Sequence, residues 1–438
     1  MKHFVLSVRI IFCCIVLLLG ICSLTVTAQP STPPFVYGDA LPDAPVLAAK
    51  GEYGVGVRTM DFVNKGQVDV LNSKNGVDPL YDRPLKIEIW YPAILPEETK
   101  EFVMYNDFMG NPNDSTRPLI PFTFPGRALR DAVPKTKDGP FPLIIVSHGY
   151  TGSRVLFTYL TENLASKGYV VVSIDHTEST HKDAAGFTST LLNRAKDDLF
   201  VLERMAALGK STGNTFLSGL VDANNTGLIG YSMGGYGVLN AAGAGYSEQA
   251  VALFEKYSGG SKSIVVLSTN NPDYKLSHDQ RIRAVVAFAP WGMERNVWDA
   301  EGLKGLTVPT FFIAGSQDDI SGYEKGTKAI FMGAVNADRY LLTYRNARHN
   351  VAPNPPPIES LKPGLNINEF YHYADPVWDL KRMNNINQHF VTVFLGIHLK
   401  KEDFGKYLDL NEDSNEKNWT GFKPRTATGL ELLHASPQ

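Results

Sequence analysis

The segment Gly230-Tyr-Ser232-Met-Gly234 places one serine between two glycines, each two positions away. A serine hydroxyl at its own pKa is a poor nucleophile, so it does chemistry only with a base in hydrogen-bond reach and an acid that orients the base. Both residue types stand downstream, with Asp318 and Asp319 in Gly315-Ser-Gln-Asp318-Asp319 and His349 in Asn346-Ala-Arg-His349. The chemistry this set would perform is attack on a carbonyl. Ser232 attacks, His349 takes the proton and later returns it, and Asp318 fixes the imidazole tautomer. Asp319 is the rival for that last role, since either acid could reach the ring from such a loop.

With 38 glycines in 438 residues, composition alone yields this five-residue pattern in roughly 0.2 of chains this long, so its surroundings must carry the argument. Leu228 and Ile229 read as a short buried strand, and Tyr236 to Ala242 as a helix. Strand, strained turn and helix is the order that lifts a serine clear of its backbone. Side chains two before and two after the serine would collide in so tight a turn, which accounts for the glycines; the bland alternative is an ordinary Gly-rich turn. Charge developing on the carbonyl oxygen needs fixed donors. The backbone N–H of Met233, at the positive end of the helix, is one, and the N–H of Tyr150 is the natural second. The Tyr150 ring and the Trp291 indole are candidate substrate contacts, although Trp291 could equally be core.

The other histidines have plainer readings. His3 lies in the leader, and His278 and His434 sit in polar stretches with no strand before them. His389 and His398 fall on a helix, where packing is the default. His148 precedes a glycine at a strand end and reads as support for its loop. His176 and His181 also follow a strand, but both precede the serine, which is the wrong chain order for the base.

These side chains need a frame. Leu85 to Tyr91 alternates apolar with charged and stops at Pro92, which predicts a half-buried strand at the sheet edge. Pro142 to Ser147 is a continuous apolar run, as expected of a parallel strand covered on both faces, and it opens into the loop His148-Gly-Tyr150-Thr-Gly-Ser-Arg154. A helix over Val155 to Lys167 closed by Gly168, a strand over Tyr169 to Ile174, a helix over Leu191 to Leu208 and the serine strand follow. Strands then recur at Ile282 to Ala289, Pro309 to Ala314 and Arg339 to Tyr344, with a closing helix from Asn384 to Lys400. The alternation predicts an α/β fold with a mostly parallel central sheet, helices on both faces and a long insertion after the nucleophile helix. Residues 243–281, which hold the run Ile264 to Leu267, are that insertion or a cap. Residues 100–140 read as a long connection that could wrap toward the site, 29–50 as a surface or disordered linker, and 401–438 as a polar tail without assigned chemistry. The main domain proper is expected over 51–400.

Lys2, His3 and Arg9 precede an apolar run from Ile10 to Val26 that ends in Val26-Thr-Ala28, the three parts of a signal peptide in order, with cleavage near Ala28. That run is about 17 residues, the short limit for a span, so an uncleaved anchor is the competing reading. Cys13, Cys14 and Cys22 all lie in this leader. The mature chain would then be secreted or periplasmic, with no disulfide, cysteine nucleophile or thiolate metal site, and its 43% apolar composition is enough for one large domain. A net charge of −3 without a basic cluster gives no support for nucleic acid as a partner. No metal or cofactor is expected, and contact with a membrane only through the signal peptide.

Trp90-Tyr-Pro92, Ser147-His-Gly-Tyr-Thr-Gly-Ser153, Leu164-Ala-Ser-Lys-Gly-Tyr169 and Ile174-Asp-His176 resemble the dienelactone-hydrolase-like and platelet-activating-factor acetylhydrolase group. Gly149-Tyr-Thr151, Gly230-Tyr-Ser-Met-Gly-Gly235, Ala289-Pro-Trp291 and Val308-Pro-Thr310 resemble bacterial cutinases and polyester hydrolases. The resemblance covers roughly residues 54–400 and implies an α/β-hydrolase fold and ester hydrolysis. It also implies Ser232, Asp318 and His349 as triad, Tyr150 and Met233 as oxyanion donors, and Trp291 as a substrate contact. Dienelactone hydrolases proper use cysteine where this chain has Ser232. The acetylhydrolases place their acid after the strand that here ends in Phe288-Ala289-Pro290, where no acid stands, so Asp318 takes that part as in cutinases. The expected function is cleavage of small or polymeric carboxylic esters through an acyl-enzyme. A lipid-directed lipase or phospholipid acetylhydrolase is the alternative, and a hydrolase-like fold kept for binding is a third.

Overall fold

Alternate residues of a strand point to opposite faces, so a strand that is apolar throughout needs cover on both sides. Strand Phe141–Ser147 meets that condition: Ile144 and Val146 pack with Leu160, Leu164 and Phe390 in one core, and Leu143 and Ile145 with Leu202, Met205 and Leu239 in the other. The computed structural model describes residues 35–210, 212–271, 274, 278–409 and 419–438. The expected signal peptide and its three cysteines lie outside the described residues, and the main compact unit runs from Val36 to Gln438.

The strands are β1 (Gly54–Val68), β2 (Leu80–Ile94), β3 (Val103–Met109), β4 (Ile120–Gly126), β5 (Leu129–Arg130), β6 (Val133–Pro134), β7 (Phe141–Ser147), β8 (Val170–Asp175), β9 (Val221–Tyr231), β10 (Ile282–Phe288), β11 (Thr310–Gly315), β12 (Arg339–Tyr344) and β13 (Leu430–Ala435). The helices are α1 (Thr158–Ser166), α2 (Phe187–Gly209), α3 (Met233–Ala241), α4 (Glu248–Tyr257), α5 (Ala300–Lys304), α6 (Lys328–Gly333), α7 (Asn368–Tyr371) and α8 (Leu380–Leu395). The main sheet has the order β13-β12-β11-β10-β9-β7-β8-β2-β1-β5. From β12 through to β8 every neighbouring pair is parallel, and β13, β2 and β1 pair antiparallel. Helices α1 and α8 cover one face, and α2 and α3 the other.

Several expectations need correction. β2 is an interior strand that runs through Pro92, not an edge strand that stops there. Its bonds to β8 span only Lys86 to Trp90, while pairing with β1 continues through Val55 opposite Pro92, so the missing N–H falls where the β8 ladder has already ended. Residues 100–140 are a β3–β4 hairpin followed by two short strands rather than an unpatterned connection. Residues 36–50 are docked on α8: the Leu41 N–H donates to Asn385 Oδ1 at 2.9 Å and Gln388 Nε2 to the Gly38 carbonyl at 3.0 Å. The polar tail contributes a buried Trp419 and the edge strand β13. Within 243–281, the segment expected as an insertion or cap, Glu248 to Tyr257 forms α4 and the apolar run a 3-10 turn, Ser263–Leu267.

His389 on α8 is fully buried among Phe390, Tyr407 and Phe422 and accepts a 3.3 Å bond from the Leu47 N–H, as packing predicts. Burial, then the nearby Lys167 ammonium, push its pKa down to about 3. The unfolded chain therefore takes up a proton below about pH 6.5 that the folded chain refuses, so this part of the stability is complete above that pH and is lost as pH falls toward the folded value. His389→Phe removes the effect. Between pH 6.5 and 5 the variant should lose about 2 kcal/mol less unfolding free energy than the wild type in urea titrations. Equal losses would show that His389 is not a linked proton site.

Candidate active site

Ser232 sits between β9 and α3 with φ 54° and ψ −114°, a left-handed conformation that costs an L-residue about 1–3 kcal/mol. A Cβ on Gly230 would lie 2.2 Å from the Gly234 carbonyl oxygen, and one on Gly234 only 1.9 Å from that of Ser147. Both positions therefore require glycine by contact, as the spacing suggests, and the second contact seats the start of α3 on the end of β7. The turn is held from behind: the Ser232 N–H donates to the Phe288 carbonyl at 2.9 Å, and the Ser232 carbonyl accepts from Tyr236 N at 2.9 Å and Trp291 N at 3.1 Å.

Parallel strands bring the expected partners to the same sheet edge. The loop after β12 carries His349, whose Nε2 is 2.9 Å from Ser232 Oγ. Its Nδ1 is 3.0 Å from each carboxylate oxygen of Asp318, in the loop after β11. Asp318 Oδ1 also accepts the N–H groups of Ile320 and Ser321, each at 2.9 Å, which fixes the carboxylate before the imidazole meets it. Asp319 turns outward and pairs with Arg348 on the surface. The geometry thus brings together Ser232, His349 and Asp318 and leaves the rival acid outside. All three are nearly buried, at 6%, 8% and 7% exposure.

Gly149 packs against the elbow, and a Cβ there would stand 3.4 Å from the Ser232 Cβ. Neither the Tyr150 N–H nor the Met233 N–H donates to another group among the described residues. The Gly149–Tyr150 peptide is aimed by its carbonyl, which accepts from His148 Nδ1 at 2.6 Å and from Arg194 at 3.3 Å. Arg194, fully buried on α2, also donates to the His148 carbonyl and, at 2.5 Å, to Ser179 Oγ.

Beneath this loop lies an array the sequence does not announce. Ser147 Oγ is 2.8 Å from His176 Nε2, His176 Nδ1 is 3.0 Å from Asp197 Oδ2, and Asp197 is gripped by Arg83 at 2.9 and 3.0 Å. Burial, then the Arg194 charge, push the His176 pKa down to about 3. Burial alone would raise the Asp197 carboxyl, but Arg83 and His176 draw it down to about 2. These are serine, histidine and aspartate in the right contacts, yet all are fully buried, so they brace the loop and cannot meet substrate. His148 is thus a support, as its place before a glycine at a strand end suggests, and His176 is held away from Ser232 in the buried array. His372, which no motif marks, donates through Nε2 to the Thr151 carbonyl at 2.9 Å. Burial and then neighbouring His181 push its pKa down to about 3.

The Tyr150 ring meets Phe187 edge-on at 5.5 Å, and Phe187 meets Trp291 at 5.1 Å, so both expected contacts belong to one aromatic wall beside the serine. The Tyr150 hydroxyl is tied to the Ala185 carbonyl at 3.0 Å. Phe187 is the member sequence reasoning missed. It opens α2 directly after Gly186, four residues before the helical stripe becomes visible at Leu191.

A serine elbow after β9, with acid and histidine after β11 and β12 of a mostly parallel sheet in this order, is the arrangement of an α/β-hydrolase fold. The family model described as PET hydrolase-like matches residues 132–261, which include the Tyr150 loop and the serine elbow. Among curated proteins the chain is similar to bis(hydroxyethyl) terephthalate hydrolase of Streptomyces coelicolor, 24% identical over 50% of this chain and 53% of that protein. It is similar also to cutinase est1 of Thermobifida alba, 24% identical over 50% and 56%. The chain spans about half the length of these curated relatives. A ferulic acid esterase from Streptomyces cinnamoneus shares the fold at a TM-score of 0.52 and 19% identity, over 89% of this chain and 99% of that one.

Proposed function

We propose that this protein is an exported serine hydrolase that cleaves carboxylic esters through an acyl-enzyme, with Ser232 as nucleophile, His349 as general base and acid, and Asp318 as orienting acid. The observation that carries the reading is the continuous 2.9 and 3.0 Å chain from Ser232 Oγ through His349 to Asp318. Ser232 Oγ attacks the ester carbonyl carbon as His349 Nε2 takes its proton. The oxyanion forms between the Met233 and Tyr150 N–H groups, each worth about 3 kcal/mol of barrier. Collapse expels the alcohol, protonated by His349. Water then attacks the acyl-enzyme with His349 again as base, and the acid leaves. Asp318 stays ionised and holds the Nδ1–H tautomer throughout.

The names of the relatives and the wall of Tyr150, Phe187 and Trp291 support esters with an aromatic or otherwise apolar component, small or polymeric. The signal-peptide pattern of residues 1–28 supports export. A fluorophosphonate probe tests the chemistry: it should add once per chain, on the tryptic peptide that contains Ser232, and abolish p-nitrophenyl acetate and butyrate hydrolysis in step. Full turnover with the probe attached elsewhere, or no turnover before labelling, would overturn the assignment.

A further inference from the structure

Resting on the ester-hydrolase reading, we propose that the cavity walled by α2, α3 and α4 binds the apolar arm of the ester, an alkyl chain or an aryl ring. The cavity holds about 280 Å³, roughly twice the ~150 Å³ cavity that accepts benzene in an apolar protein interior. Phe187, Leu191, Tyr236, Leu253, Phe254 and Trp291 are the lining residues that matter.

Three observations converge. The first is continuity with the reactive serine. Trp291 lines the cavity while its own N–H holds the Ser232 carbonyl at 3.1 Å, and Phe187 lines it while its ring meets that of Tyr150. An ester seated with its carbonyl at the Tyr150 N–H has this cavity behind the aromatic wall.

The second is chemistry. The Tyr236 hydroxyl donates to the Leu191 carbonyl at 2.8 Å and pairs with the Tyr246 hydroxyl, so both phenols are occupied and offer their ring carbons to a guest. Another cavity, about 1010 Å³, has Glu248, Asp299 and Glu301 on its wall and neither Phe187 nor Trp291, so it matches neither requirement.

The third is α4 itself. Ala250, Leu253, Phe254 and Tyr257 fall at the i, i+3, i+4, i+7 spacing of an apolar helix face, and all four line the cavity. Only Phe254 is buried; Leu253 is 41% and Tyr257 70% exposed. The segment after the nucleophile helix thus builds an apolar face that the described protein leaves largely uncovered, and it directs that face at a space bounded by Phe187 and Trp291 of the aromatic wall.

Ala250→Trp fills the cavity, and Leu253→Asp, at an exposed position, makes its lip charged without demanding repacking. Each is expected to lower kcat/KM for one long-arm ester by about tenfold or more, mainly through KM, with p-nitrophenyl acetate within about twofold of wild type. Two substrate series identify the arm. A loss confined to p-nitrophenyl octanoate against the acetate assigns the cavity to the acyl chain, and a loss confined to octyl acetate against ethyl acetate assigns it to the alcohol. Unchanged kcat/KM for both long esters in folded variants overturns the proposal while leaving the esterase standing. A wild-type protein that turns over no ester of any length overturns both. Retained acetate turnover certifies folding, and if Ala250→Trp does not fold, Leu253→Asp decides alone.

Discussion

Replacement of Ser232 by alanine is expected to lower kcat for p-nitrophenyl butyrate by about 10⁶-fold, with Tm within a few degrees of wild type. The expectation follows from what the hydroxyl touches. Ser232 Oγ has one partner, His349 Nε2, while the backbone of the elbow is held separately by Phe288, Tyr236 and Trp291. Truncation therefore removes the nucleophile and leaves the turn, the unpaired amides and the aromatic wall in place. Residual rate above the uncatalysed reaction would come from the oxyanion donors and binding alone. The protein contains a built-in control. The Ser147–His176–Asp197 array has the same three residue types in the same contacts, but it is sealed beneath the loop. Activity that survives Ser232→Ala within tenfold and disappears with Ser147→Ala would transfer the chemistry to that array and overturn the present reading.

The second large effect separates neighbouring acids. Asp318→Asn should cost about 10⁴ in kcat, and Asp319→Asn less than about twofold. An asparagine at 318 keeps one oxygen, and the Ile320 and Ser321 amides compete for it. Its NH2 group would then face Nδ1 and favour the tautomer that carries its proton on Nε2, where the base must be free. Asp319 spends its charge on Arg348 at the surface, where an ion pair contributes about 0–1 kcal/mol. Initial rates at saturating ester distinguish the two; comparable losses from both substitutions would mean that Asp318 is not the orienting acid.

How much of this was legible depends on whether the signal was local. β7, β8 and the end of β9 are runs of apolar residues bounded by glycine loops, and a strand buried on both faces can hardly be written otherwise. The meeting of Ser232, Asp318 and His349 was legible for the same reason, since each follows such a strand. What stayed hidden was set by partners distant in the chain. β13 reads as polar because Leu-Glu-Leu-Leu-His has one face in water, and only its place beside β12 makes it a strand. The β3–β4 hairpin is masked by proline and asparagine around its turn. Arg194 and Asp197 look like ordinary charges on an amphipathic helix, and only the fold reveals that they face inward under the Tyr150 loop. Phe187 escaped because a single aromatic at a helix start has no period to reveal it.

Strand β13 alters where a boundary can be drawn along this chain. β13 lies against β12, Tyr344 pairs with Leu430, and the Arg345 N–H just beyond is caught by the Gly429 carbonyl, four residues before the histidine. The carboxy-terminal peptide is thus the outer rail of the shelf on which the imidazole rests, and it also shields a sheet margin that would otherwise be open to a foreign strand. A boundary drawn at the end of α8 would leave the serine, its elbow and its amides intact and take away the footing of His349.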